Sequence, residues 1–285
     1  MSEYQYYEFR AIDQPLNERQ MRELRSMSTR AEITPTSFTN EYQWGNFRGN
    51  PRKMMERYFD AFLYYANWGT HWLMLRLPRK ATDVKAMQQY CAGDSLSLWT
   101  TRSHVILDFH GDSEGADWDE IEASLSSLIP LRDDLLAGDL RSLYLGWLAA
   151  VQMGELDEEE CEPPGPPGIA RRSGTLQAVA DFLYLDPDLL AVAASRDKSK
   201  APRAPKRADL AKWLRTLTAS SKDAMLLEVA RGKGSRIERK LREGFLGAHA
   251  KKRGPRAAED EAKRRTVGEL DAAWQSRTAG TPHSG

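Results

Sequence analysis

Hydrophobic positions are densest over residues 54–77, MMERYFDAFLYYANWGTHWLMLRLPR without its last two residues. In the first half, Met55, Tyr58, Phe59, Phe62, Leu63 and Ala66 recur at helical spacing, which predicts a helix over 54–66. Pro51 suits the first turn of that helix. Asn67-Trp68-Gly69 supplies its stop, because glycine tolerates the left-handed backbone that ends helices. Residues 71–77 then predict a strand, with Trp72, Met74 and Arg76 on one face and His71, Leu73, Leu75 and Leu77 on the other. Elements this apolar need cover on more than one side, so this unit is the expected core of the first domain.

The same reading extends in both directions. Residues 4–12 are rich in aromatics and predict a strand. Residues 15–27 predict a helix capped by Asp13 or Asn17. Residues 33–42 read as extended, held to an edge by Pro35, and 44–50 as a loop. A short helix is expected over 83–90, then a hairpin of 95–101 and 103–109 turning near Arg102. In its second strand Val105, Leu107 and Phe109 oppose His104, Ile106 and Asp108. An acidic loop over 111–119 leads to a helix over 117–129 and a long helix, or two, over 131–154. The run LDEEECEPPGPPG, 156–168, is the clearest boundary, since proline cannot continue a helix. Beyond it the pattern is helical: 175–184 and 187–194, split by a capping Asp186 and a first-turn Pro187, then 208–219, 221–231, 235–248 and 258–274.

The expected fold class is therefore α+β. A mixed domain over 1–155 has a small antiparallel or mixed sheet and packed helices. An acidic Pro/Gly-rich linker (156–170), a helical pair (171–195), a basic linker (196–207), a helical basic region (208–275) and a disordered tail (276–285) follow.

Composition adds one thing to this picture. The chain of 285 residues carries 41 basic and 41 acidic side chains, yet residues 1–160 hold 16 basic against 26 acidic and residues 161–285 hold 25 against 15. That division suits docking of the two halves on each other, head-to-tail association, or a polyanionic partner; the plainer reading is a solvated tail. No apolar run approaches the roughly 20 residues that span a bilayer. The start, MSEYQYYEFR, has no basic region followed by an apolar one, so no secretory signal is expected and the cytoplasm is the expected location. Two cysteines, Cys91 and Cys161, are too few for a disulfide framework or a thiolate zinc site.

Candidate chemistry is sparse. Asp108, His110 and Asp112 alternate at the end of the hairpin and place three oxygen or imidazole ligands on one side, leading towards Glu114, Asp117 and Asp119. This set suits a divalent metal in a hydrolase, which also needs an open coordination position and a base. The competing reading is a strand end entering a solvated acidic loop. His71 and His104 qualify as general bases by type but also as ordinary structural residues. No phosphate-binding loop, nucleophile elbow or dinucleotide fingerprint is present. Gly232-Lys233-Gly234-Ser235 has no preceding strand and reads as a helix break. Cys91 has no basic neighbour to activate it.

Two surfaces remain as interaction candidates. Trp44, Phe47, Trp68 and His71 flank the 54–77 unit, with Tyr42, Arg48, Arg52, Lys53 and Arg57 nearby; they suit base stacking or protein contact, or else plug the end of the core. Arg203, Lys206, Arg207, Lys251, Lys252, Arg253, Arg256, Lys263, Arg264 and Arg265 form an electrostatic footprint for nucleic acid without interleaved aromatics. Binding there would be non-specific and salt-dependent.

The stretches YQYYEFRAIDQPL, STRAEITPTSFTNEY, YFDAFLYYANWGTHWLMLRLP, LIPLRDDLLAGDLRSLYLGWL and DFLYLDPDLLA give residues 1–195 a resemblance to a family of uncharacterised bacterial proteins. The resemblance implies no assigned activity, cofactor or catalytic residue. Such proteins are often encoded near SWIM-type zinc-finger proteins, so it implies a protein of that kind as a partner; this chain itself lacks the zinc ligands of such a finger. The leading expectation is a non-enzymatic, cofactor-free adaptor. A nucleic-acid-associated protein and a metal-dependent hydrolase are the alternatives.

Overall fold

A computed structural model describes residues 3–112, 125–172, 174–197, 206–232, 234–253 and 264–280. The fold is α+β, with one sheet in the N-terminal half. Its strands are β1 (Gln5–Arg10), β2 (Glu32–Ile33), β3 (Ser37–Tyr42), β4 (Ala61–Ala66), β5 (Thr70–Pro78), β6 (Leu96–Thr100) and β7 (His104–Asp112). They lie in the order β2-β3-β1-β4-β5-β7-β6, and every neighbouring pair is antiparallel. The acidic loop and most of the helix expected over 111–129 fall outside the described residues.

The sheet is covered on both faces, and the alternation along each strand shows it. On one face Phe62 and Tyr64 of β4, Met74 of β5 and Ile106 of β7 join Phe9 and Phe38 in a core with Met54, Met55, Phe59 and Leu24. The last four come from α1 (Glu18–Met27), α2 (Pro51–Arg57) and the turn after α2. On the other face Ala61 and Leu63, Leu73, Leu75 and Leu77, and Val105, Leu107 and Phe109 join a larger cluster of helical residues. The alternations expected for β5 and β7 are both present.

The predicted helix over 54–66 is not. Only its first turns are helical: Asn50 caps α2, its side chain accepting the Lys53 N–H at 3.0 Å, and Pro51 sits in the first turn. The helix stops at Tyr58, and residues 61–66 are strand β4, paired with β1 and β5. The physical reason is burial on both faces. When every position of a strand is apolar, any periodicity can be fitted to it, helical spacing included.

Asp60 fixes the reversal between α2 and β4. Its carboxylate is wholly buried and accepts the N–H groups of Ile12 and Asp13, each at 2.7 Å, and the Arg76 guanidinium at 2.8 and 3.1 Å. Burial alone would raise the pKa of this carboxyl; the Arg76 and Arg132 guanidinium groups outweigh it and hold the group below the usual carboxylate value. Arg132 completes the cluster with two bonds to Asp13, at 3.1 and 3.0 Å, and one to the Arg76 carbonyl.

The helical layer on the second face is made of α3 (Val84–Gln88), α4 (Leu125–Leu128), α5 (Leu131–Leu136), α6 (Arg141–Gln152), α7 (Gly174–Phe182) and α8 (Pro187–Ala194). The long helix expected over 131–154 is two, broken at Gly138, whose φ is +79°. The Asp186 cap and Pro187 first turn of α8 are as the pattern predicts, with Asp186 accepting the Asp188 N–H at 2.7 Å.

Further along the chain lie α9 (Arg207–Thr216), α10 (Ala219–Ala230), α11 (Gly234–Arg253) and α12 (Val267–Gly280). The acidic Pro/Gly-rich stretch is folded against the C-terminal segment. Glu162 N–H donates to the Arg265 carbonyl and Val267 N–H to that of Glu160, each at 2.8 Å, and Pro163 and Pro166 are buried. Beneath them the buried Glu162 carboxylate accepts Arg265 at 2.8 and 2.9 Å and the Tyr144 hydroxyl. Asp133 with Arg242 adds an exposed pair between residues 1–160 and 161–285, and Asp188 with Arg277 one within the latter. The larger apolar cluster accordingly runs from Leu63 and Phe109 to Phe245, Val267 and Leu270. Among the described residues no helix is long and apolar enough to cross a membrane.

Because neighbouring residues of β4 face opposite cores, Phe62→Ala and Leu63→Ala should each destabilise the fold by roughly 2–5 kcal/mol in urea unfolding. A cost confined to one of the two variants would contradict burial of this strand on both faces.

Candidate functional site

The register of β5 and β7 joins two places that are far apart in sequence. Thr70 lies opposite Asp112, His71 opposite Gly111, and Trp72 opposite His110. The turn after β4 and the acidic end of the hairpin are thus one end of the sheet. Asp108, His110 and Asp112 share the α2-side face of β7, but they differ in setting: Asp108 is buried, His110 half-buried and Asp112 exposed.

Asp108 is already engaged. The Trp72 indole N–H donates to one of its oxygens, and Arg52, from the first turn of α2, bonds the other at 2.8 Å. Burial pushes the Asp108 carboxyl above its ordinary pKa, against the pull of these two donors. Arg52 also lies over two indoles, its guanidinium carbon 6.0 Å from the Trp72 ring centre and 5.3 Å from that of Trp99. Trp99 donates to Glu56 at 2.9 Å, and the Trp72 and His110 rings are 5.6 Å apart. The result is a half-buried shelf of Trp72, His110, Ser97 and Trp99 around one arginine. Both Asp108 oxygens point at donors that would repel a cation, and among the described residues no three His, Cys, Asp or Glu side chains come together as a metal set. The shelf is built of flat rings and a fixed charge.

The four aromatic candidates separate into two pairs. Phe47 turns inward, its ring 5.2 Å from that of Tyr7 and 5.7 Å from that of Phe38. The loop carrying it is tied down by buried Gln5, whose amide donates to the Gly45 carbonyl at 3.0 Å. His71 is also inward, between Phe182 and Tyr184 at 5.0 and 5.2 Å. Its Nδ1 is 3.1 Å from the Gly69 carbonyl, which can only accept, so Nδ1 carries the proton. A Cβ on Gly111 would collide with the other side of this ring, so the residue opposite His71 has to be glycine. Trp44 and Trp68 face outward, 68% and 49% exposed, with Arg30 stacked on Trp44 at 4.7 Å.

The basic candidates do not form one patch. Arg265 is buried on Glu162, where a phosphate cannot reach it. Arg264 is half-buried, Lys206 is exposed before α9, Arg207 begins α9, and Lys251, Lys252 and Arg253 end α11. Arg203, Arg256 and Lys263 lie outside the described residues. The partners the sequence reading missed are Arg52 with Asp108 and Glu162 with Arg265. Each pair is brought together only by tertiary packing across a long separation in the chain, and nothing local to either residue announces it.

No family model, curated protein or solved structure matches this chain. Its function is therefore argued from its own geometry.

Burial pushes the His71 pKa down from 6.5 to about 4, helped by His110 and opposed by the Gly69 carbonyl and Asp112. The unfolded imidazole takes up a proton near pH 6.5 and the folded one only near 4. The native state thus binds fewer protons in this window, and stability should be full above pH 6.5 and decline as pH falls towards 4. His71→Phe should flatten that decline in urea titrations at a series of pH values. An unchanged slope would place its origin elsewhere.

Proposed function

We propose that this protein is a protein-binding module whose principal contact surface is α10. The observation that carries this reading is the exposure of that helix. None of its twelve residues is buried, and Leu226, Leu227 and Val229 are 66%, 59% and 46% exposed. Each such side chain leaves about 1.5–3 kcal/mol of burial unused, and apolar side chains clustered on one helix mark a site of association.

The partner is specified by what surrounds the ridge. Lys212 and Arg215 lie on α9, whereas on α10 Lys222 is followed by Asp223 and Arg231, just beyond the helix, is paired with Glu228 at 3.2 Å. The fitting occupant is an amphipathic helix with apolar residues at helical spacing and acidic residues beside them. The helices α9 and α10 are mounted on α11, where the rings of Trp213 and Phe245 are 5.8 Å apart, and α11 is anchored on the body by Phe245 and Leu246. A rigid body carrying a short apolar arm suits an adaptor, and the Trp72–Trp99 shelf on the far side of the sheet supplies a second surface of contact.

A photo-crosslinking residue placed at position 227 of the full chain tests this in cells. The expected result is one predominant adduct, mapped to an amphipathic acidic segment of another protein. Leu226→Asp should reduce it about tenfold or more, the equivalent of one lost leucine contact, while shifting Tm only slightly, as surface changes do. Absence of an adduct, or a large fall in Tm that revealed the ridge as internal core, would contradict the proposal.

A further inference from the structure

The two edges of the sheet are guarded very differently. At one edge β2 is two residues long, Pro35 follows it, and the Asn40 side chain of β3 is bonded to the Ser28 and Tyr42 hydroxyl groups at 2.9 and 2.8 Å. At the other edge β6 reads LSLWT, with no charge, proline or glycine. Its pairing with β7 is one to one from Leu96 opposite Phe109 to Thr100 opposite Val105, without a bulge. Short strands, charges, prolines and bulges are the devices that keep edge strands from pairing. The β2 edge has two of these devices, whereas β6 has none of them.

The direction of the unused backbone groups is fixed by two hydrogen bonds. His110 N–H donates to the Ser95 carbonyl and Thr101 N–H to the His104 carbonyl, each at 2.9 Å. In an antiparallel pair these positions alternate. Residues 97, 99 and 101 and the Ser95 carbonyl therefore turn to β7, the Ser95 N–H donating instead to Glu155, and Leu96, Leu98 and Thr100 turn their backbone groups outward. Among the described residues no strand pairs with that outer side.

We propose that β6 pairs with β6 of a second copy of this chain, antiparallel and centred on Leu98, to make one continuous sheet across a two-fold axis. In this register Leu98 opposes Leu98 of the other copy, and Leu96 opposes Thr100. All three outward-facing residues then form hydrogen-bonded pairs, six N–H to carbonyl bonds in total. On the other face Trp99 of each copy opposes Ser97, so a large ring meets a small side chain and the two do not compete for space. The contact is isologous, as a closed dimer requires. The second copy's indole lands beside Ser97, opposite Asp108 in the register, and so extends the shelf formed by Arg52, Trp72 and Trp99.

Sedimentation velocity on the full chain over a concentration series tests the proposal. Thr100 has an exposed side chain, so Thr100→Pro deletes one outward N–H without opening a core. The wild type should be dimeric, and Thr100→Pro should weaken the dimer about tenfold or more through two symmetry-related lost bonds. Leu98→Lys should do the same by charge. In a chain carrying Cys91→Ser and Cys161→Ser, Leu98→Cys should oxidise to a covalent dimer, since opposed residues of this pair type lie about 5.5 Å apart, within disulfide reach. A wild type that stays monomeric throughout overturns the proposal. So does a dimer that survives Thr100→Pro and Leu98→Lys and forms no Leu98→Cys cross-link, or one that Leu226→Asp abolishes, which would assign association to α10.

Discussion

Strands that are apolar on both faces cannot stand in water, and that constraint shapes the whole molecule. In β4, β5 and β7 successive residues enter different cores, so a layer is needed on each side of the sheet. The N-terminal half supplies one layer from α1 and α2. To the other it adds α3, and the chain beyond residue 125 completes that layer with helices that reach as far as Leu270. The Pro/Gly-rich stretch that looks like a linker in isolation is folded against the segment before α12.

Buried charge marks places where segments distant in the chain are joined. Asp60, Arg76, Arg132 and Asp13 tie the turn after α2, the end of β1, β5 and α5 into one cluster. Glu162, Arg265 and Tyr144 tie the stretch after α6 to the segment before α12. Such clusters add little net stability compared with apolar residues of the same volume, but loss of one partner leaves an uncompensated charge. Their effect is to fix which segments meet. Across the division of charge along the chain, Asp133 of the acidic half meets Arg242 of the basic half, while Glu162–Arg265 and Asp188–Arg277 are pairs within the basic half.

Much of this was legible in the sequence wherever one face of an element differs from the other. The alternation in β5 and β7, the Asp186 cap and Pro187 start of α8, and the turn near Arg102 all follow local rules. The pattern failed at β4, where two-sided burial erases any period, and it gave no sign that Glu162, within the Pro/Gly-rich stretch, is paired with Arg265. For the candidate surface, the sequence singled out Asp108 and His110 as polar residues on one strand face. It could not show that Arg52 and Trp72 donate to the Asp108 oxygens. Aromatic content alone likewise did not separate Phe47, which fills the core, from Trp44, which leaves it.

The adaptor reading rests on this division of labour, with a rigid sheet buried on both sides and contact surfaces placed at its margins and on the α10 arm. Amide hydrogen exchange on the native protein tests it most directly. The amides of β4 and β5 should exchange last, only through global unfolding, and those of α10 much earlier through local opening. Exchange of the β4 amides as fast as those of α10 would show that the two-sided strands are not the core on which the rest depends.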